Sequence, residues 1–110
     1  MVASKEVQEI VRGILEKLLK GYAPEQVILF GSYVYGDPRP DSDIDLLIIK
    51  KTSERFIDRW VTVRGLLSDA RRTIPLETIV LTPEEVAARL AIGDQFLAEI
   101  MEKGEVLYAA

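Results

Sequence analysis

The chain has no cysteine and no histidine. Without cysteine there is no disulfide framework, thiolate nucleophile or thiolate metal site, and without histidine the commonest general base and zinc ligand is gone. Carboxylates, hydroxyls and cations remain for chemistry. Asparagine is missing as well and methionine occurs only 2 times, a shortage of heat-labile side chains that leads us to expect a thermophilic source. Basic charge is in deficit: 14 Lys and Arg stand against 18 Asp and Glu, a net −4, which argues against broad nonspecific binding to DNA or RNA. No stretch approaches the roughly eighteen apolar residues that cross a bilayer, and no apolar signal segment opens the chain, so no membrane association and a cytoplasmic location are expected. At 110 residues we expect a single domain over 1–110, with one real core and no separate substrate domain.

What is present is one dense cluster. Val27-Ile28-Leu29-Phe30 reads as a buried strand and residues 31–42 as a glycine-bearing turn and loop. A second apolar strand follows over 44–49. Gly31-Ser32 precedes Asp43-Ile44-Asp45 by ten residues. Positions i and i+2 of a strand share a face, so Asp43 and Asp45 point the same way while Ile44 points into the core. Two adjacent acids on an apolar strand repel one another and lose hydration unless a cation offsets both costs. Mg²⁺ does this through oxygen ligands, and two such ions can clamp a nucleophile, a phosphoryl group and departing pyrophosphate. Gly31 lets backbone approach a phosphate, and Ser32 offers it a hydroxyl and an amide.

This pattern resembles the minimal nucleotidyltransferases of the DNA polymerase beta-like nucleotidyltransferase superfamily. The resemblance rests on Gly31-Ser32, Gly36, Ser42-Asp43-Ile44-Asp45-Leu46, a leading helix, and a last helix running into Gly104-Glu105-Val106-Leu107-Tyr108. It implies an α/β (α+β) palm whose mixed sheet is covered mainly on one side by helices. It further implies a triphosphate held at Gly31 and Ser32, with Tyr33, Gly36, Arg39 and Ser42 around it. Asp43 and Asp45 would ligate metal, and a third carboxylate on a neighbouring strand, by position Glu77, would complete the site. Family members commonly carry aspartate there, and glutamate adds roughly 1 Å of reach where about 0.5 Å placement matters. The alternative is that Glu77 is an edge-strand charge that limits pairing. The resemblance implies Mg²⁺ as cofactor and ATP or another nucleoside triphosphate as substrate. Small proteins of this type are often paired with a helical HEPN ribonuclease, and some silence that toxin by transferring AMP to one of its tyrosines. A noncatalytic toxin-binding subunit, and a small RNA or antibiotic nucleotidyltransferase, are the competing readings. A homodimer is also open.

The remaining residues read as scaffold. Val7, Ile10, Val11, Ile14, Leu15 and Leu18 predict an amphipathic helix over 4–20 that Gly21 ends. Ser53 is expected to cap a second helix through Phe56, Trp60, Val63 and Leu67, with Arg55 and Arg59 on its solvated face or against an acidic partner or nucleotide, and Trp60 in the core, in an interface or stacked on adenine. Residues 74–81 predict a strand with Glu77, Ile79 and Leu81 on one face. Thr82-Pro83-Glu84-Glu85 is a capping box opening a further helix. That helix is interrupted at Ile92-Gly93-Asp94 and resumes through Phe96, Leu97, Ile100 and Met101. Val106-Leu107-Tyr108 forms a strand, docks on the core or presents an interface. Tyr33 and Tyr35 either cover the core or bound the nucleotide pocket, and Arg39 either meets a phosphate tail or is a solvated loop cation.

Overall fold

A computed structural model describes residues 1–68 and 74–110. In chain order it contains α1 (Lys5–Gly21), β1 (Gln26–Phe30), α2 (Ser32–Tyr35), β2 (Ile44–Ile49), α3 (Phe56–Leu66), β3 (Leu76–Leu81), α4 (Pro83–Ala91), α5 (Gln95–Lys103) and β4 (Glu105–Ala109). The sheet order is β3-β2-β1-β4. β1 pairs antiparallel with both β2 and β4, whereas β2 and β3 run parallel. The sheet is therefore mixed, as expected.

Alternation along the strands divides the core in two. Val27, Leu29, Ile44, Leu46, Ile48, Leu76 and Val80 face α1 and α3 and form the larger cluster. On the opposite face Ile28, Phe30, Leu47, Ile49 and Leu81 pack on α4 and α5 through Val86, Leu97 and Ile100. This second cover is partial. The uncovered end is where Asp45 and Glu77 emerge.

Local chemistry accounts for most boundaries. Ser4 caps α1 by accepting from the Val7 amide, and Val7, Val11, Ile14 and Leu18 are its buried stripe. α1 ends at Gly21, as expected, although Gly21 is not the left-handed residue of the turn. The left-handed residue is Ala23, at φ 50, whose amide reaches the Leu18 carbonyl at 3.1 Å. Gly21 instead lets α1 lie against Leu66, whose Cδ1 would be 2.6 Å from an added β-carbon. The capping box at Thr82 and Glu85 is present. The expected interruption divides the last helical segment into α4 and α5: Gly93 turns left-handed at φ 84, and Asp94 caps α5 through the Leu97 amide. Of the three readings of the tail, the strand is the one observed, with a bulge opposite Val27 and Ile28.

The expectations for α3 need two corrections. Its N-cap is Arg55, without a side-chain cap bond, because the chain turns earlier, where Thr52 Oγ1 accepts from the Glu54 amide. Arg59 is buried, at 6% exposure. Its guanidinium donates to the Glu54 carbonyl at 2.9 Å and to Glu85 Oε1 at 2.6 Å. A buried cation is tolerable only with such partners. Of the alternatives for Trp60 the core falls and the others stay open: it is 41% exposed, with the Arg64 guanidinium 5.2 Å over its ring. Among the described residues no helix is long and apolar enough to cross a membrane.

Candidate active site

Strand register builds the site. Asp45 is the partner of Phe30 on β1 and of Glu77 on β3, so Phe30, Asp45 and Glu77 form one row across three strands and point to one face. Asp43 precedes the first residue of β2, half-buried like Asp45, while Glu77 is exposed on the outer strand. Both sequence readings of Glu77 thus describe its position: it is an edge-strand acid and it stands beside Asp45.

Gly31 connects this row to the turn after β1. Its φ of 83 and ψ of −157 lie in a region that essentially only glycine occupies, and an added β-carbon would overlap Asp45 Oδ2. The backbone of the turn is therefore in contact with the carboxylate. Ser32 opens α2, a single turn. The first amides of a helix have no carbonyl one turn back to bond to, so those of Ser32 and Tyr33 are donors at the edge of the acidic row.

Electrostatics single out Asp45. Burial, then the Asp43 carboxylate, then that of Glu77 push its carboxyl from 3.8 up to about 6. Among the described residues, none of these three acids enters an ion pair. They sense one another without having converged: among the described residues, no group of three acids is gathered closely enough to hold a metal ion. Hard carboxylate oxygens with no ion-pair partner among the described residues are the donor chemistry that Mg²⁺ takes, but the three acids would have to close in further to share an ion. Asp43, Asp45 and Glu77 are the residues that would hold the ion.

The other expected nucleotide contacts fall in different places. Tyr33 is buried in the larger core cluster at 6% exposure, with its hydroxyl 3.5 Å from the Ser42 carbonyl. It takes the core-covering alternative and props the loop rather than lining the pocket. Gly36 is the left-handed C-cap of α2, at φ 101. Ser42 closes the loop by accepting from the Arg39 amide at 2.7 Å, while the Arg39 side chain is exposed.

A cavity of about 410 Å³ opens beside Asp45 and Glu77. Its remaining wall comes from Phe30, Ile79, Phe96 and Ile100, which the sequence placed only as scaffold, and from Glu99 of α5, which it did not single out. Phe96 meets Phe30 edge-on, with ring centroids 5.8 Å apart. Tyr35, not Tyr33, is the tyrosine at this cavity. Its phenol is held above the ordinary value by burial and by the Glu99 carboxylate. Nothing in the local spacing signals that α5 folds back over β1. Only the tertiary packing does.

The family model for "Polymerase beta, Nucleotidyltransferase" matches residues 14–110. A crystal structure of a candidate nucleotidyltransferase from Sulfolobus solfataricus superposes with a TM-score of 0.64 at 21% identity, covering 92% of this chain and 78% of that one. At that identity the likeness bears on the fold alone. No curated protein matches. The family match spans the glycine turn, both aspartates, Glu77 and α5, and the chain belongs to the polymerase beta nucleotidyltransferase family.

Proposed function

We propose that this protein is a metal-dependent nucleotidyltransferase that moves a nucleoside monophosphate, AMP from ATP in the first instance, onto a hydroxyl. The observation that carries the reading is the register that sets Asp45 beside Glu77 while Gly31 touches Asp45. That arrangement orders a phosphate-binding turn, a bridging carboxylate and an outer carboxylate along one line.

The turn at Gly31 and Ser32 binds the β- and γ-phosphates through backbone amides and the Ser32 hydroxyl. Asp43 and Asp45 would hold a cation on the triphosphate side, and Asp45 with Glu77 would hold a second on the acceptor side. Bound Mg²⁺ supplies charge neutralisation and lowers the pKa of the acceptor hydroxyl. The acceptor oxygen bonds to the α-phosphorus, and the bond to the bridging oxygen breaks with its electron pair leaving on pyrophosphate. Glu77 receives the hydroxyl proton and passes it to water. The net negative charge of the chain fits a protein acceptor better than a long nucleic acid. By the family resemblance, a tyrosine of a HEPN ribonuclease partner is the acceptor to test first, and the protein would then act as the antitoxin.

A second reading rests on α3. Phe56, Ile57, Trp60 and Val61 are 52%, 58%, 41% and 57% exposed and fall on one arc of that helix. An apolar arc of this kind suits a noncatalytic subunit that binds a partner. Calorimetric titration with nonhydrolysable ATP, with and without Mg²⁺, separates the two. Metal-dependent binding that disappears in the double variant Asp43→Asn, Asp45→Asn is the catalytic outcome. Tight partner binding with no nucleotide uptake is the other.

A further inference from the structure

Phe96 fixes which end of the site α5 covers. It packs edge-on against Phe30 of β1, the residue that pairs with Asp45 and precedes Gly31. One turn further along α5, Glu99 stands close enough to Tyr35 for its carboxylate to raise the phenol, second only to burial. The α5 wall of the cavity therefore belongs to the Gly31 side, away from Glu77 on the outer strand. Behind the acidic row the cavity runs back along the strands. Ile79 is two residues beyond Glu77 on the same face of β3, level with Leu47 of β2, and Ile100 lines the same space. Phe96 keeps 56% of its surface exposed despite its contact with Phe30.

The geometry of displacement at phosphorus decides what reaches this wall, an argument that rests on the proposed transferase reading. Attacking and leaving oxygens lie roughly in line. With the outer phosphates at Gly31 and Ser32 and the acceptor at Glu77, that line follows the row of carboxylates. The nucleoside is attached to the α-phosphorus off that line, so it leaves the row sideways, either out to solvent or back into the cavity. Phosphate and ribose gain nothing from Phe96, Ile79 and Ile100. A base gains the burial of its flat faces and a ring to stack on. A purine offers this wall two fused rings and a pyrimidine one. The space of about 410 Å³ is of the size that encloses small-molecule ligands. We infer that the base of the donor nucleotide stacks on Phe96 inside this cavity, and that Phe96 is a specificity-determining residue that favours purine over pyrimidine nucleoside triphosphates.

Calorimetric titration of the intact protein in Mg²⁺ with the β,γ-imido analogues of ATP, GTP, CTP and UTP, and with inorganic tripolyphosphate, tests this. Both purine analogues are expected to bind about tenfold more tightly than both pyrimidine analogues, the scale of one stacking contact. Phe96→Leu keeps an apolar side chain against Phe30 but removes the flat face, and is expected to bring the nucleotides within about threefold of one another. Phe96→Trp is expected to keep the purine preference. Neither variant is expected to shift tripolyphosphate binding by more than about twofold, a selectivity that general damage to the fold would not show. The thermal transition of each variant verifies that the fold is kept. Equal affinity for all the nucleotides in the parent, an undiminished purine preference in Phe96→Leu, or a parallel loss of tripolyphosphate binding there overturns the inference. Tripolyphosphate uptake without a purine preference leaves the catalytic reading standing alone. A purine preference that survives both EDTA and the double variant Asp43→Asn, Asp45→Asn keeps the base seat and removes the metal-dependent reading. Uptake of no nucleotide and no tripolyphosphate removes both.

Discussion

Gly31 is packed so closely on Asp45 that a β-carbon at residue 31 would overlap the carboxylate oxygen Oδ2. Gly31→Ala therefore carries two costs, a backbone conformation that non-glycine residues avoid and a collision with the central acid of the site. We expect a loss of roughly 2–4 kcal/mol of stability in urea titration, together with loss of Mg²⁺-dependent nucleotide binding. Gly36→Ala is the control. Its φ is also positive, at 101, but nothing lies within 4 Å of its added β-carbon. It should cost only about 1–2 kcal/mol and leave nucleotide binding in place.

Asp45 gives the molecule a pH dependence of unusual sign. Unfolded, its carboxyl loses its proton near 3.8, whereas in the fold burial and the neighbouring acids delay this to about 6. Between those values the folded state binds more protons than the unfolded one, so stability falls as pH rises through that window, and the full penalty applies above it. Solvent still reaches the group, which screens the effect to ~1–2 kcal/mol. Asp45→Asn should thus be more stable than the parent by that amount at pH 7.5 and no different at pH 3.5. Thermal unfolding at the two pH values measures it. Mg²⁺ relieves the same repulsion, so it should raise the melting temperature of the parent at pH 7.5 and leave that of Asp45→Asn nearly unmoved.

The buried guanidinium of Arg59 connects α3 to the start of α4, donating to the Val80 carbonyl at 3.4 Å as well as to Glu54 and Glu85. Glu85 is itself engaged, accepting from the Thr82 amide at 2.8 Å. Arg59→Ala would leave two carbonyls and a carboxylate without their donor. We expect about 2–4 kcal/mol of destabilisation, below the full cost for a sealed ion pair because water reaches Glu85. Arg59→Lys should rescue little of it, since one ammonium cannot span the three oxygens that the planar fork reaches. The Arg59 hydrogen bond, ahead of all other influences, holds the Glu85 carboxyl below its ordinary value. Its contribution is complete above the unfolded pKa and is lost as pH falls through the lower, folded one. Urea midpoints at pH 7 and in mild acid check both statements.

Arg59 also shows where reading the chain alone stops. The unit from Val27 to Ile49 was legible because its signals are contiguous: an apolar strand, a glycine turn, and acids spaced two apart on the next strand. The placing of Glu77 beside Asp45 came from the family resemblance; alternation over residues 74–81 gives only the face of each acid, and the parallel pairing of β2 with β3 is visible only in the fold. Arg59 and Trp60 are neighbours on a helix whose polar and apolar residues are not sorted onto separate faces, so spacing could not say which arc turns inward. The partners that decide it, Val80 and Glu85, lie 21 and 26 residues away. Phe96 and Glu99 were hidden for the same reason. Their stripe predicts an amphipathic helix, but only the tight passage from α5 into β4 lays that helix against β1.

That passage depends on Gly104, and a comparison of two glycines tests how. An added β-carbon at Gly104 would meet the Ile100 carbonyl oxygen at 2.5 Å and Ile28 Cγ2 at 2.6 Å. Its φ is an ordinary −64, so the whole cost is packing. Neither the carbonyl of the last helical turn nor a side chain buried at 2% exposure can withdraw, and Gly104→Ala should cost roughly 1–3 kcal/mol. At Gly21 the nearest obstacle, at 2.6 Å, is Cδ1 of Leu66, the end of a flexible, half-buried side chain. There the gain in helix propensity, about 1 kcal/mol, offsets the repacking, and Gly21→Ala should be close to neutral. Urea midpoints of the two variants measure this; equal stability losses would mean that α5 approaches β1 less closely than the structure has it.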